Sequence, residues 1–338
     1  MANGPSPRHV LVTGGAGYIG AVLVPELLEA GYRVTALDTF LFGRRPLATV
    51  ADHPELTLVE ADIRDRDAVS EVLAGDVDAV IHLAAISNDP SSKLDPGVTR
   101  SINGEACRAV MTEARQAGVG RFLYASSASV YGIKDTPHVT EDLELEPITL
   151  YARCKADGET VLNDLVADDF VGVSVRSATV CGDSPRLRLD LTINLLTDQA
   201  LRLGYIRVFG GTQMRPNIHL RDLTRFYRLL LEAEPDRVNG QAFNVSQANA
   251  SVMALAEMIR DEVDPSLEIR TEPTDDLRSY HLSADRAREV LGFTPEHDLA
   301  EAVQELQARY AEPQDPDPAS DWYRNVRWMK EHPDRWRA

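Results

Sequence analysis

Cysteine is scarce in this chain, and what is present is widely spaced. The 338 residues include only Cys107, Cys154 and Cys181, an odd number with no CxxC pair. Neither a disulfide framework nor a zinc site is therefore expected, and all three thiols are predicted to lie in the core. Because nothing points to disulfides, the cytoplasm is the expected compartment, and no metal is expected at the functional site.

Long apolar runs and an excess of positive charge are also missing. No apolar stretch approaches the ~20 residues of a membrane span. Residues 1–8 lack the apolar centre of a signal peptide, so they are predicted to form a short disordered tail. The net charge of −18 argues against a nucleic-acid partner. The remaining balance, 43% hydrophobic and 26% charged residues, is typical of a soluble globular protein.

Apolar strand patterns alternate with helical patterns through the first half of the chain. Strands are predicted over residues 9–13, 33–38, 56–60, 79–83, 121–125 and 171–176, and helices over 18–30, 65–73, 101–116 and 151–168. This order predicts βαβ units and a Rossmann-type, doubly wound α/β fold with a mostly parallel sheet. We expect a cofactor domain over 9–177, a smaller substrate-binding region over 178–312, with the chain crossing back between them, and a C-terminal tail over 313–338.

Three glycines follow the first strand and open the first helix. The spacing of Gly14, Gly17 and Gly20 suits a dinucleotide: the first glycine allows a tight turn, the second lets the backbone approach a pyrophosphate, and the third lets helix pack on strand. The helix N-terminus then offers free N–H groups to the phosphates. Asp38 ends the next strand, where a carboxylate binds ribose hydroxyls and repels a 2′-phosphate. NAD is therefore favoured over NADP.

A tyrosine and a lysine stand one helical turn apart in a later helical pattern. Tyr151 and Lys155 are four positions apart, so their side chains share one helix face. A neighbouring ammonium favours the phenolate form of such a tyrosine and makes it a usable proton acceptor. With the glycine turn, the pair predicts an enzyme that moves a hydride and a proton at a carbinol carbon.

These motifs resemble those of the extended short-chain dehydrogenase/reductases, in the nucleotide-sugar epimerase/dehydratase group that includes the UDP-galactose 4-epimerases. The resemblance runs from about residue 10 to about residue 299. It rests on the glycine turn, on Asp38, Asp62-Ile63, His82-Leu83-Ala84-Ala85 and Asn103, on the segment 126–132, on Tyr151 with Lys155, and on the segment 215–222.

The resemblance implies a bound NAD and the residues that hold it. In the family, the positions of Asp62 and Ile63 hold the adenine, and the position of Asn103 supports the active-site backbone. The residues implied to bind NAD are Gly14, Gly17, Tyr18, Ile19, Gly20, Asp38, Asp62, Ile63, Leu83, Ala84, Ala85, Asn103, Tyr151 and Lys155. A helix cap at Asp62 and an exposed position for Asn103 remain open as alternatives.

The resemblance also implies that Ser127, Tyr151 and Lys155 are catalytic. Ser127 would hydrogen-bond the sugar O4, Tyr151 would exchange the O4 proton, and Lys155 would bond the nicotinamide ribose. The 4,6-dehydratases of this group carry an Asp-Glu pair directly after the catalytic hydroxyl residue, whereas this chain has Ala128 and Ser129. Neither residue can act as an acid or a base at neutral pH, so 4,6-dehydration is disfavoured.

A nucleotide-diphosphate sugar is the implied substrate. Arg215 matches a family arginine that contacts the diphosphate, and Ser87 follows the turn where the sugar ring is implied to lie. Thr179 and Val180 replace the Asn-Pro of the UDP-galactose 4-epimerases, which removes a familiar diphosphate contact. The candidate substrate-binding residues are Ser87, Ser127, Thr179, Arg186, Arg188, Asn194 and Arg215. For Arg186 and Arg188, solvated surface positions are the alternative.

The leading hypothesis is an NAD-dependent isomerase that epimerises a nucleotide-diphosphate sugar at C4 through a transient 4-keto intermediate. The alternatives are an NAD(P)-dependent nucleotide-sugar oxidoreductase or variant dehydratase, and a non-catalytic regulatory protein, which the intact catalytic residues disfavour. A homodimer is predicted, because in the family the helices matching 101–116 and 151–168 pair across a two-fold axis. Here these helices carry the apolar residues Ile102, Ala106, Val110, Met111, Val161, Leu162, Leu165 and Val166.

Overall fold

A computed structural model describes residues 8–134, 136, 138–274 and 281–337. The strands are β1 (His9–Thr13), β2 (Arg33–Asp38), β3 (Leu56–Glu60), β4 (Ala79–His82), β5 (Arg121–Ala125), β6 (Val171–Ser177), β7 (Thr179–Cys181), β8 (Tyr205–Phe209), β9 (Met214–His219), β10 (Gln241–Val245), β11 (Ala248–Ser251) and β12 (Glu268–Glu272). Seven of them form one sheet in the order β3-β2-β1-β4-β5-β6-β10. Every neighbouring pair in it is parallel, which confirms the predicted Rossmann-type fold.

Helices cover both faces of this sheet. The α-helices are α1 (Gly20–Glu29), α2 (Arg66–Leu73), α3 (Asp89–Ser92), α4 (Pro96–Arg100), α5 (Cys107–Gln116), α6 (Leu150–Leu165), α7 (Thr192–Leu203), α8 (Leu220–Glu232), α9 (Pro235–Val238), α10 (Val252–Val263), α11 (Asp285–Leu291), α12 (Leu299–Ala311) and α13 (Asn325–Glu331). The predicted helix over 101–116 is instead a π-helical turn (Ser101–Ala106) that leads into α5. Short 3₁₀ turns occur at Arg45–Val50, Ala128–Tyr131, Asp321–Tyr323 and Pro333–Arg335.

The central strands are apolar because both of their faces are buried. In β1, Val10 and Val12 pack into one hydrophobic cluster while Leu11, between them, packs into the cluster on the other face. Successive strand residues point to opposite faces, so a strand covered on both sides has no polar face to show in its sequence. Since all seven strands run parallel, their carboxyl ends share one edge, where a doubly wound sheet binds its ligands.

The second half of the chain builds a smaller region beside this edge. It contains a three-stranded sheet in the order β11-β9-β7 and the parallel pair β12-β8. The helices α7, α10 and α12 enclose a separate apolar cluster there, which includes Leu196, Ile206 and Leu255. Between β9 and β11 in the chain, β10 pairs with β6 at the edge of the central sheet. The predicted boundaries of the regions at 177 and 312 stay predictions.

The C-terminal segment (residues 321–337) packs on the body of the protein. The Trp322 indole N–H donates to the Phe42 carbonyl at 3.0 Å, and the Trp328 ring lies 4.8 Å from the Phe42 ring. Trp336 is buried in the same small cluster, which also includes Ile86. The segment therefore packs against the loops that follow β2 and β4. At the other terminus, residues 1–7 of the predicted disordered tail lie outside the described residues.

Half of the eight apolar side chains that suggested a dimer are buried inside the protomer. Ala106, Val110, Met111 and Leu162 are buried in the core of the single chain, packed beneath α5 and α6. The other four are only partly buried, namely Ile102, Val161, Leu165 and Val166. The homodimer therefore stays a prediction, and fewer exposed apolar side chains support it than the sequence suggested.

Two predictions from composition can be compared with the structure. All three cysteines are free thiols in buried positions, as predicted. Within the described part of the chain, no helix combines the length and the apolar character that crossing a membrane requires.

Candidate active site

The glycine turn joins β1 to α1 at the carboxyl edge of the sheet. Gly14 has a φ of 72°, and its N–H donates to the Leu37 carbonyl at 2.8 Å. A Cβ at Gly14 would stand 2.8 Å from the Ala84 nitrogen, and one at Gly20 would stand 2.5 Å from the carbonyl oxygens of Gly14 and Gly15. Only glycine fits these two positions. α1 has no side-chain cap, so its N-terminus can receive an anion.

A cavity runs along the glycine turn. It is lined by Gly14, Ala16, Gly17, Tyr18, Ile19, Gly20, Asp38, Phe40, Phe42, Asp62, Ile63, Leu83, Ala84, Ala85, Ser87, Arg186, Arg188, Asn325, Met329, Trp336 and their neighbours. Of the fourteen residues predicted to bind NAD, eleven are in this lining, and Asn103, Tyr151 and Lys155 are not. A cradle that a Cβ would fill, beside a carboxylate at the end of β2, is what a dinucleotide requires, so the residues present fit NAD.

Asp38 ends β2 with a carboxylate that is already hydrogen-bonded. Its Oδ2 accepts the Ala16 N–H at 2.9 Å and its Oδ1 accepts the Phe40 N–H at 2.8 Å. Burial raises the pKa of Asp38, while these two N–H groups and the charge of Arg186 act against that rise. A carboxylate has about four lone-pair sites, so two remain for ribose hydroxyls.

Two alternatives left open by the sequence are settled by hydrogen bonds. Asp62 forms an ion pair with Arg64 at 2.7 Å, whereas Asp65 caps α2, so Asp62 is not the helix cap. Asn103 is buried rather than exposed. Its Oδ1 accepts the Ile86 N–H at 2.8 Å and its Nδ2 donates to the Ile86 carbonyl at 2.9 Å. It therefore supports the backbone after β4 from behind the cavity.

α6 carries Tyr151 and Lys155 on one face. Lys155 is buried, and its Nζ donates to the Ala125 carbonyl at 2.5 Å. The same Nζ lies 4.9 Å from the centroid of the Tyr124 ring and 5.8 Å from that of the Tyr151 ring. Burial lowers the pKa of Lys155, although nearby thiols and a carboxylate act against it. An ammonium held out of water beside a phenol is the arrangement that favours a phenolate.

Ser127 begins the 3₁₀ turn that follows β5. Its Oγ accepts the Ser129 N–H at 3.2 Å and the Ser129 hydroxyl at 3.0 Å. Because these bonds use Ser127 as an acceptor, its own proton remains free to donate to a substrate oxygen. The turn packs against α6, which brings Ser127 beside the helix of Tyr151 and Lys155.

A buried ion pair beneath this site was not predicted from the sequence. Glu159 and Arg176 lie 2.7 Å apart, with side chains 4% and 7% exposed. Glu159 also accepts the Ser126 hydroxyl, and Arg176 donates to the Tyr131 hydroxyl at 2.7 Å. The network fixes the end of β5 and the following turn against α6. Glu159 stands one helical turn after Lys155, and this spacing is the signal that sequence reasoning missed.

Two predicted substrate residues, Ser87 and Arg188, are in contact. Arg188 donates to the Ser87 hydroxyl at 3.0 Å and makes two bonds to the Asp190 carboxylate at 2.9 and 3.0 Å. Asn88 donates to the same carboxylate at 3.3 Å. The charge of Arg188 is therefore balanced within the protein, which makes it a poorer ligand for a diphosphate than the sequence suggested.

Asn194 has a structural role in place of the predicted contact with substrate. It is completely buried, and its Oδ1 accepts the Gly182 N–H at 3.0 Å. Its Nδ2 donates to the Tyr18 hydroxyl at 3.1 Å and to the Arg188 carbonyl at 3.0 Å. The amide thus holds the loop after β7 against the glycine turn, and little of its bonding capacity is left for a ligand.

Thr179 and Arg215 lie apart from the cofactor cavity. Thr179 starts β7 and pairs with Asn217 on β9, the strand that also carries Arg215. Neither residue is in the cavity lining, and both are partly buried. The structure places them on adjacent strands of the small sheet. Their predicted contacts with substrate remain predictions.

Arg186 lies in the cofactor cavity, away from Thr179 and Arg215. Its side chain is 1% exposed, so the surface alternative is wrong. The guanidinium carbon stands 3.6 Å from the centroid of the Phe42 ring and 4.7 Å from that of Trp322. These stacking partners come from the loop after β2 and from the C-terminal segment, and no local sequence signal connects them to Arg186.

Known proteins are similar to this chain in sequence and in fold. The model of the NAD dependent epimerase/dehydratase family matches residues 10–246. A UDP-glucose 4-epimerase of Corynebacterium glutamicum is 30% identical over 318 residues, covering 88% of this chain and 94% of that relative. One of Mycolicibacterium smegmatis is 31% identical over 305 residues, covering 87% and 96%. A solved structure of DesIV, a dTDP-glucose 4,6-dehydratase from Streptomyces venezuelae with NAD and TYD bound, is 28% identical, with a TM-score of 0.78 over 97% of this chain and 98% of that one.

Proposed function

The chain belongs to the NAD dependent epimerase/dehydratase family, and from that premise we propose that it is an NAD-dependent epimerase that inverts C4 of a nucleotide-diphosphate sugar. The observation that carries the proposal is the buried Lys155 ammonium beside Tyr151, on the helix that Ser127 adjoins. This is a site for proton exchange with a hydroxyl next to a dinucleotide cavity. Since the first relatives are UDP-glucose 4-epimerases, a UDP-hexose is the first substrate to test.

The chemistry of this site begins with the removal of a proton from the sugar O4. Tyr151, as the phenolate, takes this proton while Ser127 donates a hydrogen bond to the same oxygen. NAD, when bound, supplies a reversible hydride acceptor at C4. Lys155 keeps the phenolate favourable through its charge, and one of its three N–H bonds is anchored on Ala125. Once the 4-ketose had turned in the site, Tyr151 would return the proton to O4, and bound NAD would supply the hydride for the other face of C4.

The residues after Ser127 support epimerisation over dehydration. Elimination of water needs an acid and a base near the sugar, and Ala128 and Ser129 supply neither. Ser129 instead donates to the Ser127 hydroxyl at 3.0 Å. DesIV, the dehydratase relative, shares the fold of this chain, so the fold alone does not decide between the two reactions.

A substrate panel tests the proposal. The protein as purified, with no cofactor added, would be incubated with the diphosphate sugars of uridine, thymidine, guanosine and adenosine in D₂O, and the products would be resolved by NMR. We expect one substrate to give its C4 epimer with no deuterium on carbon, because the same hydride leaves and returns. In a parallel incubation with NAD added, its stoichiometric consumption would mean net oxidation, and in either incubation a 6-deoxy-4-keto product carrying deuterium would mean dehydration.

We also propose that the protein is a homodimer. The family resemblance supports it, as do the partly buried Ile102, Val161 and Leu165 on the π-helical turn and α6. A two-fold pairing would bury the same patch on both copies. Light scattering at micromolar concentration tests this: a mass near 37.3 kDa, rather than twice that, would show a monomer.

A further inference from the structure

Arg186 is a buried cation in the wall of the cofactor cavity. Its Nη1 donates to the Leu187 carbonyl at 2.7 Å and its Nη2 donates to the Asn325 amide oxygen at 2.8 Å. Among the residues that the structure describes, its buried Nε has no hydrogen-bond partner, and no carboxylate lies within ion-pair distance. A buried charge without a counter-ion destabilises a protein unless an anion joins it. This site therefore needs a negatively charged ligand.

The loop that carries Arg186 is tied to the glycine turn. Ser184 donates its hydroxyl to the Tyr18 carbonyl at 2.8 Å and accepts the Arg186 N–H at 3.2 Å. The Tyr18 hydroxyl in turn donates to the Gly182 carbonyl at 2.8 Å. These bonds place the arginine loop directly against the N-terminus of α1, where the diphosphate of a dinucleotide binds.

Arg188, which is close to Arg186 in sequence, differs from it in having a charged partner. Arg188, two residues later, has a carboxylate of its own in Asp190, whereas Arg186 has only uncharged acceptors. The carboxylates of Asp190 and Asp38 act on Arg186 from beyond ion-pair distance, while burial and the charge of Arg188 lower the pKa of Arg186 to about 9. The guanidinium nevertheless remains charged at neutral pH, because that pKa is still above 7.

The C-terminal segment holds this guanidinium in position. Trp322 stacks on it, and Asn325, which is 139 residues away in sequence, accepts one of its N–H bonds. Phe42 stacks at 3.6 Å, and Trp322 is bonded to the Phe42 carbonyl, so both stacking rings are fixed to each other. A guanidinium fixed in this way is preorganised for a planar, two-point contact with phosphate oxygens.

We propose that Arg186 binds the diphosphate of the dinucleotide cofactor, and that the C-terminal segment orients it for this contact. The assignment replaces the predicted contact with the sugar-nucleotide diphosphate. It concerns the cofactor alone, so it stands whether or not C4 is the carbon that reacts.

Binding of nucleotide fragments to the full-length chain tests the proposal. The only three tryptophans, Trp322, Trp328 and Trp336, are all in the C-terminal segment, so their fluorescence reports on the cavity directly. NAD, ADP, adenosine and UDP would be titrated into wild type and Arg186→Gln, and the NAD retained on purification would be measured. Arg121→Gln is the matched control, because Arg121 is also buried and hydrogen-bonded to carbonyls. It lies at the amino end of β5, away from the sheet edge that carries the cavity.

We expect Arg186→Gln to weaken NAD and ADP by about 10- to 100-fold, the range for a hydrogen bond to a charged group, and to leave adenosine unchanged. Arg121→Gln should change none of the four. Equal weakening of adenosine and ADP would mean that Arg186 only shapes the pocket. Weakening of UDP with ADP unchanged would return Arg186 to the substrate. Either result overturns the proposal.

Asn325→Asp provides a second variant that does not rely on a destabilising change. The new carboxylate would sit against the guanidinium, at the position of an oxygen now 2.8 Å away, and would neutralise it. We expect a higher midpoint of thermal unfolding together with weaker ADP binding, by about tenfold. A purely structural role for Arg186 predicts the higher stability with ADP binding unchanged, and that outcome would also refute the proposal.

Discussion

The two walls of the cofactor cavity are built in different ways. One wall is the edge of the central sheet, where the glycine turn and Asp38 face the ligand with backbone and with side chains from neighbouring strands. The other wall is the loop after β7 and the C-terminal segment, joined by contacts such as Arg186 with Asn325, 139 residues apart in sequence. The first wall depends on local geometry and the second on long-range packing.

Because of this difference, the two walls offer different groups to a ligand. A backbone cradle offers N–H groups and a helix N-terminus, which suit any dinucleotide. The second wall contributes two fixed positive charges. The charge of Arg188 is balanced by Asp190, whereas that of Arg186 has no carboxylate partner among the described residues. Substitutions on the two walls, and at the chemistry beside them, should therefore separate catalysis, stability and cofactor choice.

The largest expected effect is on catalysis, at Tyr151 on α6, outside the lining of the cofactor cavity. Tyr151→Phe should reduce turnover by about 10²–10⁴-fold, the usual contribution of a positioned proton acceptor, and should leave bound NAD unchanged. Steady-state kinetics and the NAD content of the purified variant measure the two. Tyr32→Phe is the control, because Tyr32 lies outside the cavity lining and its hydroxyl donates to Glu232 at 3.0 Å. Turnover of Tyr151→Phe within a few-fold of wild type would remove Tyr151 from the mechanism.

The sheet-edge wall could be predicted from the sequence because its rules are local. β1, β2, β3 and β5 have the predicted bounds, and Gly14 and Gly20 have the steric need for glycine that their spacing indicated. Each of these features depends on a few consecutive residues. The parallel direction of the strands then follows from the alternation of strands and helices.

The other wall could not be predicted, because its contacts join distant parts of the chain. Nothing near Arg186 in sequence indicates that Phe42 and Trp322 enclose it. Asn194 was a candidate for contact with the substrate, but the structure uses its amide, on α7, to hold the loop after β7. An arginine or an amide looks the same in sequence whether its partner is a ligand or another part of the chain.

The second expected effect is on stability, beneath the sheet-edge wall. Glu159→Gln removes the charge that pairs with buried Arg176, and breaking one partner of a buried ion pair costs about 3–5 kcal/mol of unfolding free energy. Denaturant unfolding measures it. Glu113→Gln is the matched control, since the Glu113 partner, Arg66, is 68% exposed, and we expect a loss below about 1 kcal/mol.

A double substitution shows whether the loss comes from the unpaired charge. Glu159→Gln with Arg176→Met removes both charges and should recover much of the stability that the single change lost, since an apolar replacement leaves no uncompensated ion. If Glu159→Gln alone is as mild as Glu113→Gln, the buried pair does not hold the wall together, and the long-range contacts of the other wall become its main support.

The smallest expected effect is on cofactor choice, at Asp38 on the sheet-edge wall. Asp38→Asn keeps the size of the side chain but removes the charge that repels a 2′-phosphate. The preference for NAD over NADP should therefore fall by about tenfold, a like-charge effect at the low end of its range.

Because burial raises the pKa of Asp38, its carboxyl gains a proton at a higher pH than an ordinary aspartate. The wild-type preference should therefore decline as the pH falls toward that pKa and be complete above it. Titrations of both dinucleotides across pH 4.5–8 measure this, and Asp38→Asn, treated identically, corrects for protonation of the 2′-phosphate itself. A preference that is equal in the two proteins at every pH would show that the charge of Asp38 does not set the choice between NAD and NADP.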